Sequence, residues 1–582
     1  MLRKDAKHSR ITLSDGRAPA KLSSPTDPAD PPPAGFFNSP PKRASISIML
    51  KYNITLVSVL ISLLIPATLA VAQEAVYTSE EAFRESGYNY YWSIFKEECE
   101  QRTFETTEEA EAFTELMDIM FRTGTGFGHT YDVIDLGITQ MYPRLLKLDP
   151  DPPLYAQYRH IGARFARGVT PEEGIQLGRD MQQVAARMSD AGYPPFFEGV
   201  AWLRAAHILS SVGFADDEDT KDAYETGLNL VVESASLEGV PRESREFMAY
   251  IISRMAYTSV SLDLLEKEEL CYRLFDAETD PWVAYTSMGL LMTKKAWAAR
   301  TNGFAGTIND ARWSMFYQYL QNADAYLTAA WETRPEWVHA QEKMITVTMG
   351  RQHHPDRDEY FWFNEVTKVR PDLSGAHYNL ARARRPKWGG SIQEVREILD
   401  DIADRSKSTP HLGTAYMTVL SELAKSHDDR LDVFQDPQLV DDLSRIAREH
   451  WSDIPENLNI NGVRRTMRVA ACANFIQGNY EQAREFLISG GAMAYRRHNT
   501  WKEPSRFFRW RVPLAIDDSG EVIKALQASD EGDLTTALTI LKAFKEGLDA
   551  EPEKEYPHVL VTNPHRSVEQ LITHIELHKR DN

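Results

Sequence analysis

The chain has 582 residues, of which 42% are apolar and 26% charged, enough to bury several ordinary cores or one long repeat array. Asp and Glu number 85 against 65 Lys and Arg, a formal net charge of −20. That excess favours solubility and excludes a duplex nucleic-acid binder, whose affinity rests on cations neutralising phosphates.

Residues 1–48 differ from all that follows. Stretches such as Ser23 to Gly35 are rich in Pro, Ser and Asp with little that packs, so this segment is expected to be disordered, an extension ahead of Met49 as the true initiator. Residues 49–72 then read as a secretory signal peptide, with Lys51 as the basic start, an apolar run from Ile54 to Leu69, and an Ala70-Val-Ala72 cleavage site. Pro66 and the small residues after it shorten the apolar run below the roughly 20 residues of a membrane span. Cleavage after Ala72 would remove nine Lys/Arg and four Asp/Glu, leaving a net charge of about −25. The expected location is periplasmic or secreted, with no stable membrane span after cleavage. Cys99, Cys271 and Cys472 are far apart and lack metal spacing, so they read as buried apolar residues, with one disulfide as the alternative.

From Thr78 onward the signals are helical. Thr106-Thr-Glu-Glu109 is a capping box that opens an apolar-periodic stretch ending at Gly124. Thr170-Pro171-Glu-Glu173 is a second one, with Pro at the first helical position and a stop before Gly192. Further periodic segments run near 196–211, 219–235, 243–259 and 282–299, whereas strand-like alternation is confined to a short apolar piece at Val559 to Val561. The fold class is all-α.

Internal repeats narrow the architecture. Arg334-Pro335-Glu336-Trp337-Val-His-Ala340 and Arg370-Pro371-Asp372-Leu373-Ser-Gly-Ala376 share a register 36 residues apart, close to the tetratricopeptide period of about 34. Gln477-Gly478-Asn479-Tyr480-Glu-Gln-Ala483 matches Glu531-Gly532-Asp533-Leu534-Thr-Thr-Ala537, with Gly for the tight turn and Ala for close helix approach. The pattern predicts an α-α superhelix, a tetratricopeptide-like solenoid. Its expected parts are an N-terminal helical region (73–275), a tetratricopeptide-like central region (276–430) and a C-terminal repeat region (431–582) with an inserted basic-aromatic loop at 491–517.

The central candidate for chemistry is Arg382 to Glu394. Pro386 disfavours helix at Arg385, Gly389-Gly390 permits a reversal, and Ser391-Ile-Gln-Glu394 restarts a helix with a capping box. Those features need no ligand. Arg382, Arg384, Arg385 and Lys387 beside Trp388 do call for one of two explanations: pairing with acidic neighbours, or an anion-recognition surface for a carboxylate or phosphate. The inserted loop poses the same question, because Arg496, Arg497, Trp501, Arg509 and Trp510 interleave cations with aromatics suited to a partner protein or a glycan.

Ala296-Trp297-Ala-Ala-Arg300-Thr-Asn-Gly303-Phe-Ala-Gly306-Thr, taken with Arg385-Pro-Lys-Trp388-Gly-Gly-Ser391, resembles a bacterial family, domain of unknown function 4034. The resemblance spans about residues 280–400. It implies helices of tetratricopeptide-like appearance between the motifs and carries no activity with it.

No catalytic residue, metal ligand set or cofactor motif emerges. His574 and His578 have helical ligand spacing without a third ligand, and Asp216-Asp-Glu-Asp219 lacks the glycine of a calcium loop. Phosphate loops and nucleophile elbows are missing. The expected function is therefore binding of a partner protein or peptide in the cell envelope, without catalysis. The alternative is an enzyme on an envelope or extracellular polysaccharide, built on a helical toroid.

Overall fold

Helix boundaries follow the capping grammar of the sequence. In the computed structural model, which describes residues 77–124, 141–258, 262–277, 279–301, 305–351, 356–409, 412–452, 461–494, 511–515, 519–550 and 564–581, the regular elements are helices. The extension and signal-peptide expectations, the apolar piece at 559–561 and residues 496–510 lie outside these residues. Thr106 Oγ1 accepts from the Glu109 N–H (3.2 Å) while Glu109 reaches back to the Thr106 N–H, as a capping box requires. Thr170 and Glu173 do the same.

Two layers alternate along the chain. The first holds α3 (Leu154–Ala166), α5 (Pro195–Leu209), α7 (Arg245–Thr258), α9 (Pro281–Arg300), α11 (Val338–Arg351), α13 (Ser374–Ala383) and α15 (Gly413–Ala424). The second holds α4 (Pro171–Asp190), α6 (Glu218–Ser234), α8 (Leu264–Asp276), α10 (Asp310–Thr333), α12 (Glu359–Val369), α14 (Ile392–Ser406) and α16 (Pro437–Ser452). Helices of the first layer pack side by side from α7 to α15; α6 packs against α5, and the other even-numbered helices from α4 to α14 pack against both neighbours in that layer. Hairpins α17 (Asn461–Ile476) with α18 (Tyr480–Ala494) and α19 (Glu521–Asp530) with α20 (Leu534–Ala550) follow, and α21 (Pro564–Asp581) packs on α20. The arrangement is an all-α, solenoid-like stack, and Gln73–Asn582 forms one compact unit.

The repeats seen in sequence recur at atomic level. Arg334 and Arg370 end α10 and α12 in the same backbone conformation (φ −147°, ψ 85° and φ −134°, ψ 83°). Each carbonyl then accepts from the residue three further on, Trp337 and Leu373. The Gln341 amide donates to the Pro335 carbonyl, and His377 Nε2 makes the equivalent bond to the Pro371 carbonyl (2.9 Å). In the later pair, Gly478 and Gly532 take φ of 78° and 83°, where a Cβ would be strained. The next N–H closes the same turn in both, Asn479 onto the Asn474 carbonyl and Asp533 onto the Ala528 carbonyl.

The first described helix does not belong to the stack. α1 (Glu80–Glu100) runs across the N-terminal ends of the first-layer helices, ahead of α2 (Thr107–Gly124). Phe83 meets Phe247, Tyr250 and His339; Tyr91 lies edge-on between Phe197 and Phe247; Phe95 packs on Tyr155 and Phe197. Both ends of α1 are tied by charge. Asp372 accepts the Glu80 N–H with both oxygens (2.9 Å each), and Glu98 accepts the Leu154 N–H at the start of α3 (3.1 Å). Carboxylates are favoured there, because helix N-termini carry unpaired N–H groups and the positive end of the dipole.

Beneath Phe83 lies a buried ionic knot. Arg370, fully enclosed, donates to Glu80 (3.3 Å) and to Glu246, and its guanidinium sits 4.3 Å from the Phe83 ring centroid. Burial holds the Glu246 carboxyl above the usual carboxylate range even with Arg370 beside it. Sequence periodicity predicts helix for α1 but cannot indicate that its partners lie up to 292 residues away.

None of the three cysteines forms a disulfide. Cys271 and Cys472 are buried and Cys99 is half-buried, its thiol pushed up to about 12 by burial and then by Glu98.

Candidate functional site

The Arg382–Glu394 segment stops α13, turns, and restarts as α14. Arg385 is extended (φ −70°, ψ 151°), as the residue before Pro386 must be, and one short turn over Pro386–Trp388 follows. Gly389 is left-handed at φ 97°, and a Cβ on Gly390 would stand 2.1 Å from the Arg384 carbonyl oxygen. Ser391 Oγ accepts from the Glu394 N–H (3.1 Å), capping α14.

This turn divides the four cations into two kinds. Arg384 pairs with Glu359 (2.9 Å) and covers the Tyr360 ring (4.3 Å). Arg385 donates to Glu422 (2.9 Å) and to the Lys425 carbonyl (3.0 Å), and Glu422 also receives Lys425. The Glu422 side chain is 1% exposed, so Arg385 is the counter-ion that makes its burial tolerable.

Arg382 and Lys387 have no carboxylate within ion-pair distance among the described residues. Arg382 lies 5.5 Å from the Trp297 ring centroid and Lys387 lies 5.7 Å from that of Trp388. They are joined by Arg300, from the last turn of α9, which sequence reasoning did not place among the site residues. Its guanidinium is 4.8 Å from the Trp388 ring centroid, 5.7 Å from that of Trp313 and 5.8 Å from that of Trp297. Trp297 and Trp388 themselves meet edge to face (5.5 Å, 90°). The two motifs that carry the family resemblance, 88 residues apart at Arg300 and Trp388, thus come together in space.

The electrostatics match the geometry. Burial and then Arg382 press the Arg300 pKa down, and burial followed by Arg385 and Arg382 does the same to Lys387. Each shift means that the cationic form is held at a cost that a nearby anion would relieve. The indole N–H groups of Trp297 and Trp388 and the Nε–H of Arg300 are buried without an acceptor among the described residues. The cluster therefore combines cations, unsatisfied donors and aromatic faces already covered by cations. Chemically, it can receive oxygen acceptors bearing negative charge.

Among the described residues, no group of three or more His, Cys, Asp or Glu side chains stands close enough to hold a metal ion, and no helix is long and apolar enough to cross a membrane. Arg496, Arg497, Trp501, Arg509 and Trp510 fall outside the described residues.

No family model matches the chain, and no curated protein matches it. Among solved structures, it is similar to a circular tandem repeat protein with novel repeat topology and enhanced subunit contact surfaces, at 12% identity over 86% of this chain and 95% of that one. The TM-score is 0.13, so this distant likeness adds nothing to what the helices themselves display.

Proposed function

We propose that this is an exported, tetratricopeptide-like helical-repeat protein of the cell envelope that binds a partner protein or peptide and performs no catalysis of its own. Kinship with the domain of unknown function 4034 family belongs to the same proposal. The observation that carries it is the local reversal of charge. In a chain of net charge −20, Arg300, Arg382 and Lys387 gather around Trp388 and Trp297 without carboxylate partners among the described residues. Stacked arrays of helices leave extended surfaces for recognition, and hot spots on such surfaces are enriched in Trp and Arg.

The test is capture from envelope extract by wild-type protein and by the Arg300→Met, Lys387→Met double variant. Methionine keeps an unbranched apolar stem against the tryptophans and removes only the charge. The variant should lose the captured protein while its melting temperature stays within a few degrees of wild type. Equal capture by both proteins would sink the proposal.

A further inference from the structure

A second group of cations stands next to this cluster, and its Lys294 and Lys343 were not among the sequence candidates. Tyr257, at the end of α7, is approached by Lys343 of α11 (4.6 Å from the ring centroid) and by Lys294 of α9 (5.8 Å). Lys294 also donates to the Tyr257 carbonyl (2.6 Å). Tyr378 of α13 lies within electrostatic reach of Tyr257, Arg382 and Arg385. Arg382 then continues to Trp297 and Arg300. Half-buried side chains from four helices of one layer thus converge in a continuous strip, accessible from solvent.

Among the described residues, two carboxylates belong to this locus, and both are engaged. Glu422 holds Arg385 and Lys425, and Glu342 faces His339 and accepts from the Asn379 amide (3.4 Å). Lys343 and Arg254 also act electrostatically on Glu342. Lys294, Lys343 and Arg382 have no carboxylate within ion-pair distance among the described residues. Crowding of like charge reaches the next layer as well: burial and then Lys294 push the Lys267 ammonium down to about 8.

We propose that this strip binds an acidic peptide segment of the partner, whose Asp or Glu carboxylates bridge Lys294, Lys343 and Arg382 and reach Arg300 and Lys387. The inference rests on the partner-binding reading above and names the chemistry of what is bound. Several unpaired cations call for several carboxylates, which a single small anion does not supply. A glycan is disfavoured because the rings it would stack on are already approached by cations, Tyr257 by lysines and Trp297 and Trp388 by arginines. A long polyanion would run off the strip onto a protein of net charge −20, whereas a short segment stays within the roughly 10 Å reach of local charge.

The experiment is fluorescence anisotropy with the whole protein and a labelled octa-glutamate peptide, with octa-glutamine and an oligogalacturonate of the same length as comparators. Octa-glutamate should bind, and should weaken as salt rises. The Lys343→Met, Arg382→Met variant should lose about tenfold or more in affinity with an unchanged thermal melt. Lys343→Arg should bind like wild type where Lys343→Met is weakened, and Lys524→Gln, at an exposed position of α19, should also bind like wild type. Equal binding of octa-glutamine, equal binding by the double variant, or tighter binding of the oligogalacturonate would each overturn the proposal. If octa-glutamate fails while the Arg300→Met, Lys387→Met protein still loses its envelope partner, the ligand class falls and the partner-binding reading stands.

Discussion

Replacing Arg370 with Met tests whether α1 is locked onto the array by the buried knot. Arg370 is fully enclosed and neutralises Glu246, whose side chain is 4% exposed, and Glu80, at 12%. Removing the cation leaves two carboxylates largely desolvated, a change that costs about 3–5 kcal/mol when one partner of a buried pair is lost. The lost contact with Phe83 adds about 1 kcal/mol. Part of this loss is recoverable through pH. Burial already raises the Glu246 carboxyl above 4.5 in the folded protein, and without Arg370 it should rise further. A carboxyl raised on folding binds its proton more tightly in the native state, so stability is regained as pH falls from the folded pKa towards 4.5. The deficit of the variant relative to wild type should therefore be largest near pH 8 and at least about 1 kcal/mol smaller at pH 5. Urea unfolding at the two pH values measures it, and hydrogen exchange should show residues 80–100 deprotected ahead of the rest. A deficit below about 1 kcal/mol at pH 8, an equal deficit at both pH values, or unchanged protection of α1 would refute the lock.

Acid should weaken the wild-type protein through two enclosed histidines. Burial lowers His339 and His377 to about 4, so the stability they contribute is complete above 6.5 and is lost as pH falls from 6.5 to 4, by up to about 3 kcal/mol each. His377→Gln should flatten part of that slope in urea melts, because Gln341 already makes the matching bond in the preceding repeat. Arg385→Met should cost about 2–3 kcal/mol by stranding Glu422, whereas Arg382→Met should cost under about 1 kcal/mol, both read by thermal or urea denaturation. Gly390→Ala should cost about 3 kcal/mol by driving a Cβ into the Arg384 carbonyl, and proteolysis should then cut near residue 390 faster than in wild type.

Local grammar was legible in the sequence, and long-range geometry was not. The capping boxes at Thr106 and Thr170 and the reversal at Gly389-Gly390 are decided within a few residues, so the pattern alone places them. The repeated turns after Arg334 and Arg370 were equally readable, because the same backbone problem is solved twice with the same residues. The site was half legible. Residue types marked Arg382, Lys387 and Trp388, but only packing could assign Arg384 and Arg385 to Glu359 and Glu422 or bring Arg300 alongside. Trp297 and Arg300, one helical turn apart, were the available signal, and they gain meaning only when Trp388 arrives from 88 residues away. Nothing in a local period could reveal that Lys294, Lys343 and Arg382 converge.

The transverse course of α1 bears on how the chain reaches this structure. Stacked hairpins bury neighbours against neighbours, so each can form as soon as its two helices exist, and an ordinary array can also fray from either end. α1 is made before the stack, yet its last docking point, Asp372, is 292 residues downstream. Closing that span carries an entropic cost on the order of 5 kcal/mol, which the contacts along α1 offset only once the intervening helices are in place. Assembly should therefore end with the first helix, and the finished stack from α3 to the α12–α13 turn should unfold as one cooperative block, where an open array would peel away repeat by repeat.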